Sequence, residues 1–286
     1  MSDIWTIKKL LDWTADHFKK HQIDDPRLEA EILLANALGK ERIKLYIDFE
    51  KEVGKQELQI FKSHIQRRIK REPTAYITGC QPFMSLNIKV TPDVLIPRPE
   101  TELLVQEAID IAKKMDKRVL ALDIGTGSGA IAVTLAKFVD QIDVYATDLS
   151  RKALDIAKEN AIAHKVDKKV RLIEADIFPN EDIKFDIIVS NPPYIRTDDI
   201  KGLQPEIRDH EPVKALDGGA DGMDHYRKII GNAGPHLVAN GYLILEIGEG
   251  QSENVIDIIK NRLKAKEIIA KKDLSGIERI VIAEIQ

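Results

Sequence analysis

The spacing of apolar residues changes character twice along this chain. Up to about residue 72 it follows a period near 3.6, as amphipathic helices do. Ile4, Ile7, Leu10, Leu11 and Trp13 to Phe18 form a first stripe. Asp25-Pro26 reads as an N-cap followed by proline at the first helical position, opening a second helix that runs to Leu38 and stops at Gly39. Further helical patterns cover Glu41 to Asp48 and Lys55 to Arg71, separated by Val53-Gly54, so four short helices predict a small bundle. The bundle carries little chemistry. His17, His21 and His64 have no partner at metal-ligand spacing and read as surface or core histidines, and Lys62, Arg67, Arg68, Lys70 and Arg71 read as a solvated helix face, with contact to an acidic partner as the alternative.

Between Pro73 and Pro99 alternation replaces the helical period. Leu86, Ile88 and Val90 alternate with Asn87 and Lys89, and Thr91-Pro92-Asp93 reads as a turn into Val94-Leu95-Ile96, which predicts a β-hairpin connector. Pro97-Arg98-Pro99-Glu100-Thr101-Glu102 then starts an amphipathic helix from Leu103 to Lys114, and it is equally readable as a rigid linker before a capped helix.

From Arg118 short apolar runs alternate with helical patterns. Strands are expected at Val119-Leu122, Val144-Thr147, Val170-Glu174, Phe185-Val189, Gly241-Ile247, Glu267-Ala270 and Arg279-Ile285. Helices are expected at Ala130-Phe138, Arg151-His164 with Ser150 as N-cap, Met223-Val238 and Gln251-Leu263. Such alternation predicts an α/β fold with a mostly parallel, doubly wound sheet. The domain organisation that follows is a helical segment over 1–75, a hairpin linker over 76–98 and the α/β domain over 99–286.

Composition narrows the class. Of the 286 residues 31% are charged and 43% hydrophobic, and no uninterrupted apolar run approaches the length of a membrane span. Met1-Ser2-Asp3-Ile4 lacks a basic-then-apolar leader, so a soluble, unsecreted protein is expected, with no membrane partner. Cys80 is the only cysteine, which excludes an internal disulfide framework and a cysteine-based zinc site and fits a reducing cytoplasm. A formal net charge of -4 argues against tight non-specific binding of nucleic acid.

The candidate chemistry gathers at the ends of the predicted strands. Asp123-Ile124-Gly125-Thr126-Gly127-Ser128-Gly129 is a glycine turn that lets backbone N–H groups at a helix start approach a ligand. With Ala130 it satisfies Gly-x-Gly-x-x-Gly/Ala, and Asp148 is placed as a ribose-binding acid, so a dinucleotide-binding protein is one reading. Asp123 just before the turn would repel a pyrophosphate but suits a cationic aminoacyl group. Asp176-Ile177 at the third strand tip is placed to contact an adenine. The fourth strand runs straight into Ser190-Asn191-Pro192-Pro193-Tyr194. Pre-proline restriction holds Asn191 and Pro192 extended, and Pro193 has its own φ fixed, so the turn is stiff. It offers an amide side chain and the Pro192 carbonyl as two acceptors matching the two hydrogens of a planar NH2 group, with Tyr194 as an aromatic wall.

The Asn-Pro-Pro-Tyr tetrapeptide resembles the signature of methyltransferases that modify amide or exocyclic amino nitrogens. The whole chain is similar to the release-factor glutamine methyltransferases, the protein-(glutamine-N5) methyltransferase family. The segments that carry the resemblance are Glu72 to Gly79, Ile96 to Glu102, Leu122 to Ala132, Ser190 to Ile195, and Glu211-Pro212 with Ala215-Leu216 before Gly218-Gly219. One departure is Ile177, where the family often has a bulky aromatic. The resemblance implies a class I, Rossmann-like methyltransferase fold with a seven-stranded sheet. It implies S-adenosylmethionine as cofactor, S-adenosylhomocysteine as product, and class 1 peptide chain release factors as protein substrates in the cytoplasm. The methyl acceptor implied is the glutamine of their Gly-Gly-Gln motif, and the helical segment would recognise the factor. It assigns Asn191, Pro192 and Tyr194 to catalysis, and Asn191, Pro192, Pro193 and Tyr194 to the substrate. Asp123, Gly125, Thr126, Gly127, Ser128, Gly129, Asp148, Asp176, Ile177 and Asn191 would hold the cofactor, with no metal. A nucleic-acid adenine amino-methyltransferase could use the same turn, but it would ordinarily need base flipping and a basic surface, and the net charge offers none.

Overall fold

Thr6 starts the first helix: its backbone is extended and its hydroxyl accepts from the Lys9 N–H, which caps α1 (Ile7–Lys20). α1 buries Ile7, Leu10, Leu11, Thr14 and Phe18 from the stripe that the apolar period picks out, whereas Trp13, expected in the same stripe, is 48% exposed. The computed structural model describes residues 5–286; Ile4, and the leader region Met1 to Ile4, lie outside the described residues. α2 (Pro26–Ala37) begins with proline as expected, but Asp25 does not cap it through its side chain and instead adopts a left-handed backbone with φ 45°. α3 (Arg42–Ile47) and α4 (Lys55–Arg68) follow, then a fifth helix, α5 (Thr74–Thr78), too short for its period to be read. Leu11, Phe18, Leu33, Leu34, Leu45 and Phe61 are at most 1% exposed at the centre of these helices. Each such side chain contributes roughly 1.5–3 kcal/mol on burial. His64 is a core histidine, its ring nitrogen 3.3 Å from the Leu33 carbonyl.

The chain divides into two compact units, one of residues up to Gly79 together with Gln204–His210, the other of Cys80–Leu203 and Glu211–Gln286. Gln204–His210, with the short helix α9 (Pro205–Arg208), thus packs with the helices although it lies deep inside the segment expected to be α/β. What fastens it corrects the reading of Arg67, Arg68 and Arg71 as part of a solvated face, while Lys62 and Lys70 are exposed as expected. The Arg68 side chain is only 7% exposed, donating to Glu29 at 2.7 Å and to Glu206 at 2.9 Å, while Arg71 donates to the other Glu206 oxygen at 2.9 Å and to the Gln22 carbonyl at 2.8 Å. Arg67 forms a two-pronged pair with Glu72. The partner acid lies 138 residues along the chain, out of reach of any local pattern.

In the second unit β1 (Cys80–Phe83) pairs antiparallel with β2 (Leu86–Lys89), Phe83 opposite Leu86. The hairpin therefore closes before Leu86, not after Val90 as expected. Val94–Ile96, flanked by Pro92 and Pro97, forms no strand. The turn residues Met84 and Ser85 have φ of 46° and 61° without a glycine to signal it.

The main sheet has seven strands in the order β5-β4-β3-β6-β7-β9-β8. They are β3 (Val119–Ile124), β4 (Ile142–Asp148), β5 (Val170–Glu174), β6 (Phe185–Ser190), β7 (Leu237–Glu246), β8 (Ala265–Lys272) and β9 (Glu278–Ile285). The first five are parallel and β9 runs antiparallel to both β7 and β8. α6 (Thr101–Lys114), α7 (Ala130–Phe138), α8 (Arg151–Ala163), α10 (Asp224–His236) and α11 (Ser252–Arg262) flank the sheet. Every residue of β6 is buried, as a strand covered on both faces requires. Ser190 lies opposite both Ile124 and Leu245, and Ile124 opposite Thr147, so the carboxyl ends of β3, β4, β6 and β7 reach one edge at the same level.

Arg68 carries two acids, and removing a nearly buried cation that neutralises two carboxylates costs on the order of 3 kcal/mol. Arg68→Ala should lower the urea midpoint of unfolding accordingly. A wild-type midpoint would show that the Glu29 and Glu206 pairs contribute nothing to stability.

Candidate active site

The glycine turn leaves β3 and starts α7. Gly129 must be glycine on two counts: its φ is 79°, and a Cβ would lie 2.9 Å from the Ala157 Cβ on α8. The turn is tied to β4 by the Thr126 N–H donating to the Thr147 carbonyl at 2.9 Å. Asp123 is fully buried beneath it, one carboxylate oxygen accepting from the Thr126 hydroxyl at 2.6 Å and the Ala132 N–H at 3.2 Å. Its other oxygen, Oδ1, has no hydrogen-bond partner among the described residues. Burial pushes Asp123 up to about 7. At the tip of β4, Asp148 accepts from the Gly127 N–H at 2.9 Å and the Ser150 N–H at 2.8 Å, and burial raises its pKa. Ser150 also caps α8, as expected.

These contacts discriminate between ligands. Two donors at the start of α7, the Gly127 and Ala132 N–H groups, already bond to carboxylates, which places two acids where a pyrophosphate would lie. The same acids suit a ligand that carries a positive charge and ribose hydroxyls. An orphaned oxygen on Asp123 and open space where a Gly127 Cβ would stand fit an aminoacyl group laid over the turn. Beyond β5, Asp176 is exposed and Ile177 is half-buried with φ 75°. A β-branched residue in the left-handed region is strained by roughly 1–3 kcal/mol. The Thr147 hydroxyl, donating to the Ile177 carbonyl at 2.7 Å, holds it there.

The Asn-Pro-Pro-Tyr turn follows β6 without a break, and contacts from distant parts of the unit fix it. The Ser190 hydroxyl donates to the Ile124 carbonyl at 2.8 Å, and Gln251 Nε2 donates to the Tyr194 carbonyl at 3.0 Å. Gly218 passes so close that a Cβ would lie 2.8 Å from the Tyr194 Cα. Asn191 Nδ2 donates to the Thr101 hydroxyl at 3.0 Å. Neither Asn191 Oδ1 nor the Pro192 carbonyl has a hydrogen-bond partner among the described residues. Behind the turn lies Glu246, at the end of β7 and 1% exposed. Burial lifts it to about 7, against the Thr101 and Tyr194 hydroxyls, which favour its charged form. Tyr194 is pushed up to about 12 by burial and by that acid, so it stays a neutral phenol.

One sheet edge therefore carries Asp123, the glycine turn with Thr126 and Ser128, Asp148 and Asn191, with Asp176 and Ile177 just past the neighbouring strand β5. Sequence reasoning passed over Thr101, Glu246 and Gln251. Glu246 ends a parallel strand at the edge that supplied the other candidates, and that position was the available signal. The Pro-Arg-Pro-Glu-Thr-Glu run is more than a linker: Arg98 pairs with buried Glu211, Glu102 accepts from the Met84 N–H at 2.7 Å, and Thr101 holds Asn191.

Residues 9–79 match the family described as PrmC N-terminal domain, and residues 99–204 match Methyltransferase small domain. The chain is 44% identical over 280 residues to a release factor glutamine methyltransferase of Geobacter sulfurreducens, covering 98% of this chain and 96% of that one. It is 41% identical to the protein of the same name from Rhodopirellula baltica, covering 97% and 95%. The chain belongs to the release factor glutamine methyltransferases. It is thus an S-adenosylmethionine-dependent protein-glutamine methyltransferase, as its sequence motifs led one to expect. Among solved structures, the hMettl16 catalytic domain in complex with a MAT2A 3′UTR hairpin superposes with a TM-score of 0.58 at 15% identity, covering 76% of this chain and 81% of that one. A 16S rRNA methyltransferase of T. thermophilus, in complex with AdoMet and guanosine, gives 0.52 at 17%, covering 72% and 50%. Likeness at this identity shows the shared fold.

The methyltransferase carries Asp123 at a cost that depends on pH. With its folded pKa raised to about 7 from 3.8, its contribution to stability is full below about pH 4 and is lost as pH rises through about 7. Asp123→Asn removes that dependence. Its melting temperature relative to wild type should rise by at least about 4 °C between about pH 5 and about pH 8. A difference constant across that range would show that burial does not perturb Asp123.

Proposed function

We propose that this release factor glutamine methyltransferase transfers a methyl group from S-adenosylmethionine to the side-chain nitrogen, N5, of the glutamine in the Gly-Gly-Gln motif of class 1 peptide chain release factors. The observation that carries this reading is the pair of unengaged acceptors, Asn191 Oδ1 and the Pro192 carbonyl, on a stiff turn at the sheet edge. A primary amide presents two hydrogens in one plane, and two fixed acceptors select it and set its rotation. Glutamine N5 is a poor nucleophile because its lone pair is delocalised into the carbonyl. Holding both hydrogens lets the turn aim the nitrogen and disfavour the planar resonance form, so that positioning supplies most of the catalysis. Bound S-adenosylmethionine supplies an electrophilic methyl on a sulfonium. The N5 proton leaves once the nitrogen carries the methyl group and has become acidic. Tyr194 and Pro193 wall the glutamine side chain.

For the cofactor, Asp148 would accept the ribose hydroxyls, and Asp176 with Ile177 would contact the adenine. Asp123 Oδ1 would hold the aminoacyl ammonium directly or through water, over Gly125, Thr126, Gly127, Ser128 and Gly129. Support comes from the orphaned oxygen and the strained Ile177 backbone, both at the edge where open α/β sheets bind ligands. The reaction belongs in the cytoplasm, where release factors act. No helix among the described residues is long and apolar enough to cross a membrane.

Asn191 and Asp148 should fail in opposite ways. Asn191→Ala should lower kcat on a release factor by about 100-fold or more, by analogy with removing a positioned donor from an oxyanion hole, while calorimetry shows S-adenosylmethionine affinity little changed. Asp148→Ala should weaken that affinity by roughly 1.5–3 kcal/mol. Near wild-type turnover in Asn191→Ala would sink the mechanism. A Gly-Gly-Ala release factor that still accepted label would sink the choice of acceptor.

We further assign recognition of the intact factor to the helical unit. On α3 the side chains of Ile43, Tyr46 and Ile47 are 61%, 49% and 68% exposed, an apolar face of the kind that protein partners cover. Ile43→Ser with Ile47→Ser should lower kcat/KM for the intact factor about tenfold and leave a free Gly-Gly-Gln peptide unaffected. Equal losses on both substrates would assign recognition elsewhere.

A further inference from the structure

A strand of a two-stranded sheet carries backbone groups that its partner strand does not use, and on β2 those groups meet α8. Phe83 and Leu86 close the hairpin, and Pro82 opposite Asn87 has no N–H to give. Pair types alternate along an antiparallel ladder, so Pro82–Asn87 and Cys80–Lys89 are the pairs that exchange no hydrogen bonds. The backbone groups of Asn87 and Lys89 therefore point away from β1. Side chains of α8 and its C-cap take them. His164 Nε2 lies 2.9 Å from the Asn87 carbonyl, while Asn160 Oδ1 accepts from the Lys89 N–H at 2.7 Å and Asn160 Nδ2 donates to the Lys89 carbonyl at 2.9 Å.

Asn160 has one more hydrogen to give, and it goes to the glycine turn. Nδ2 also donates to the Ser128 carbonyl at 2.8 Å. A backbone N–H only donates and a carbonyl only accepts, so these three backbone partners fix which way the amide is turned. The side chain is 1% exposed and both of its hydrogens are used. Ala157, three residues earlier on the same face of α8, is the residue that a Cβ on Gly129 would strike. One face of α8 thus admits the turn at Ala157 and grips it at Asn160.

The grip acts on a defined peptide. The Ser128–Gly129 unit is planar and trans, so its C=O and N–H point in opposite directions. Asn160 holds the first, and the second donates to the Thr126 carbonyl at 2.8 Å. The other braces of the turn, Asp148 on the Gly127 N–H and the Thr147 carbonyl on the Thr126 N–H, come from β4. Asn160 comes from a helix, and a residue that served the hairpin alone would have no need of Ser128. Resting on the cofactor placement proposed above, with the aminoacyl group laid over this turn, we infer that Asn160 is a positioning residue for S-adenosylmethionine: it fixes the Ser128–Gly129 peptide beneath the aminoacyl tail and ties that peptide to β2.

S-Adenosylhomocysteine and methylthioadenosine share adenine, ribose and a thioether and differ in the aminoacyl tail, so calorimetry with both isolates what the turn contributes. Two variants are compared, each at a temperature well below its melting. Asn160→Asp keeps an acceptor for the Lys89 N–H but sets an oxygen against the two carbonyls, and Asn160→Ala removes all three bonds. In both, affinity for S-adenosylhomocysteine should fall about tenfold or more and affinity for methylthioadenosine by less than about twofold. Equal losses on the two ligands, or unchanged affinity for S-adenosylhomocysteine, would overturn the inference, because Asn160 would then support the fold alone. A measurement on the unaltered enzyme decides the matter even if neither variant folds. Coupling between sites is reciprocal, so bound S-adenosylhomocysteine should slow hydrogen exchange of the Lys89 amide by about the same tenfold, and methylthioadenosine should not. Equal protection by both ligands, or by neither, would overturn the inference. If the unaltered enzyme binds the two ligands equally well, the placement of the aminoacyl tail fails instead, before any variant is made, and the two failures are distinct.

Discussion

Parallel pairing sends the carboxyl ends of neighbouring strands to one edge, and in this methyltransferase a single register decides what that edge contains. Ser190 on β6 faces Ile124 on one side and Leu245 on the other. One residue later the three strands deliver Gly125, Asn191 and Glu246 at the same level, and the Ile124–Thr147 pairing brings Asp148 alongside. A one-residue slip of β6 would invert every side chain on a fully buried strand, so the hydrophobic core enforces the register that the chemistry needs. The candidate site is in this sense a by-product of packing: Val, Ile and Leu pairs inside the sheet set the positions of the polar residues at its rim.

That rim collects acids the interior holds at a cost. Asp123 and Glu246 are both essentially inaccessible, both lifted to about 7 by burial, and each keeps one carboxylate oxygen without a partner among the described residues. A protein selected for stability alone would replace them by apolar residues of similar volume. Their retention at the edge where ligands of open α/β sheets bind fits the view that functional sites break local rules which the rest of the fold obeys. Ile177 makes the same point through its backbone, a β-branched residue held left-handed by one hydroxyl from β4.

The stiffness of the Asn-Pro-Pro-Tyr turn is local, whereas its placement is not. Two prolines restrict the backbone wherever the segment occurs. Thr101 from α6, Gln251 at the start of α11 and Gly218 in the long connection then hold it from three sides. That connection also lends Gln204–His210 to the helical unit, where Glu206 neutralises Arg68 and Arg71 before the chain returns at Glu211, itself buried against Arg98. One stretch of sequence thus serves both units.

Much of this was legible in the chain itself. The helical stripes, the alternation of buried strands with amphipathic helices, the glycine turn and the proline-stiffened tetrapeptide depend on neighbours within about ten residues. Short-range stereochemistry sets their form, and α7 and β5 fall where their patterns put them. Asp148 and Asn191 were likewise visible, since each ends a recognisable strand. The hairpin was misread because Met84 and Ser85 turn without glycine, so nothing local announced the reversal. The partners were invisible for a more general reason. Arg68 with Glu206, Arg98 with Glu211, and Asn191 with Thr101 are separated by 138, 113 and 90 residues, and periodicity carries no information at such distances. The sequence determined which segments form and which polar groups stand at their ends. Only tertiary packing decided which of those groups meet, because long-range register and side-chain burial turn a hydroxyl on one helix into the fixed neighbour of an amide on a distant strand.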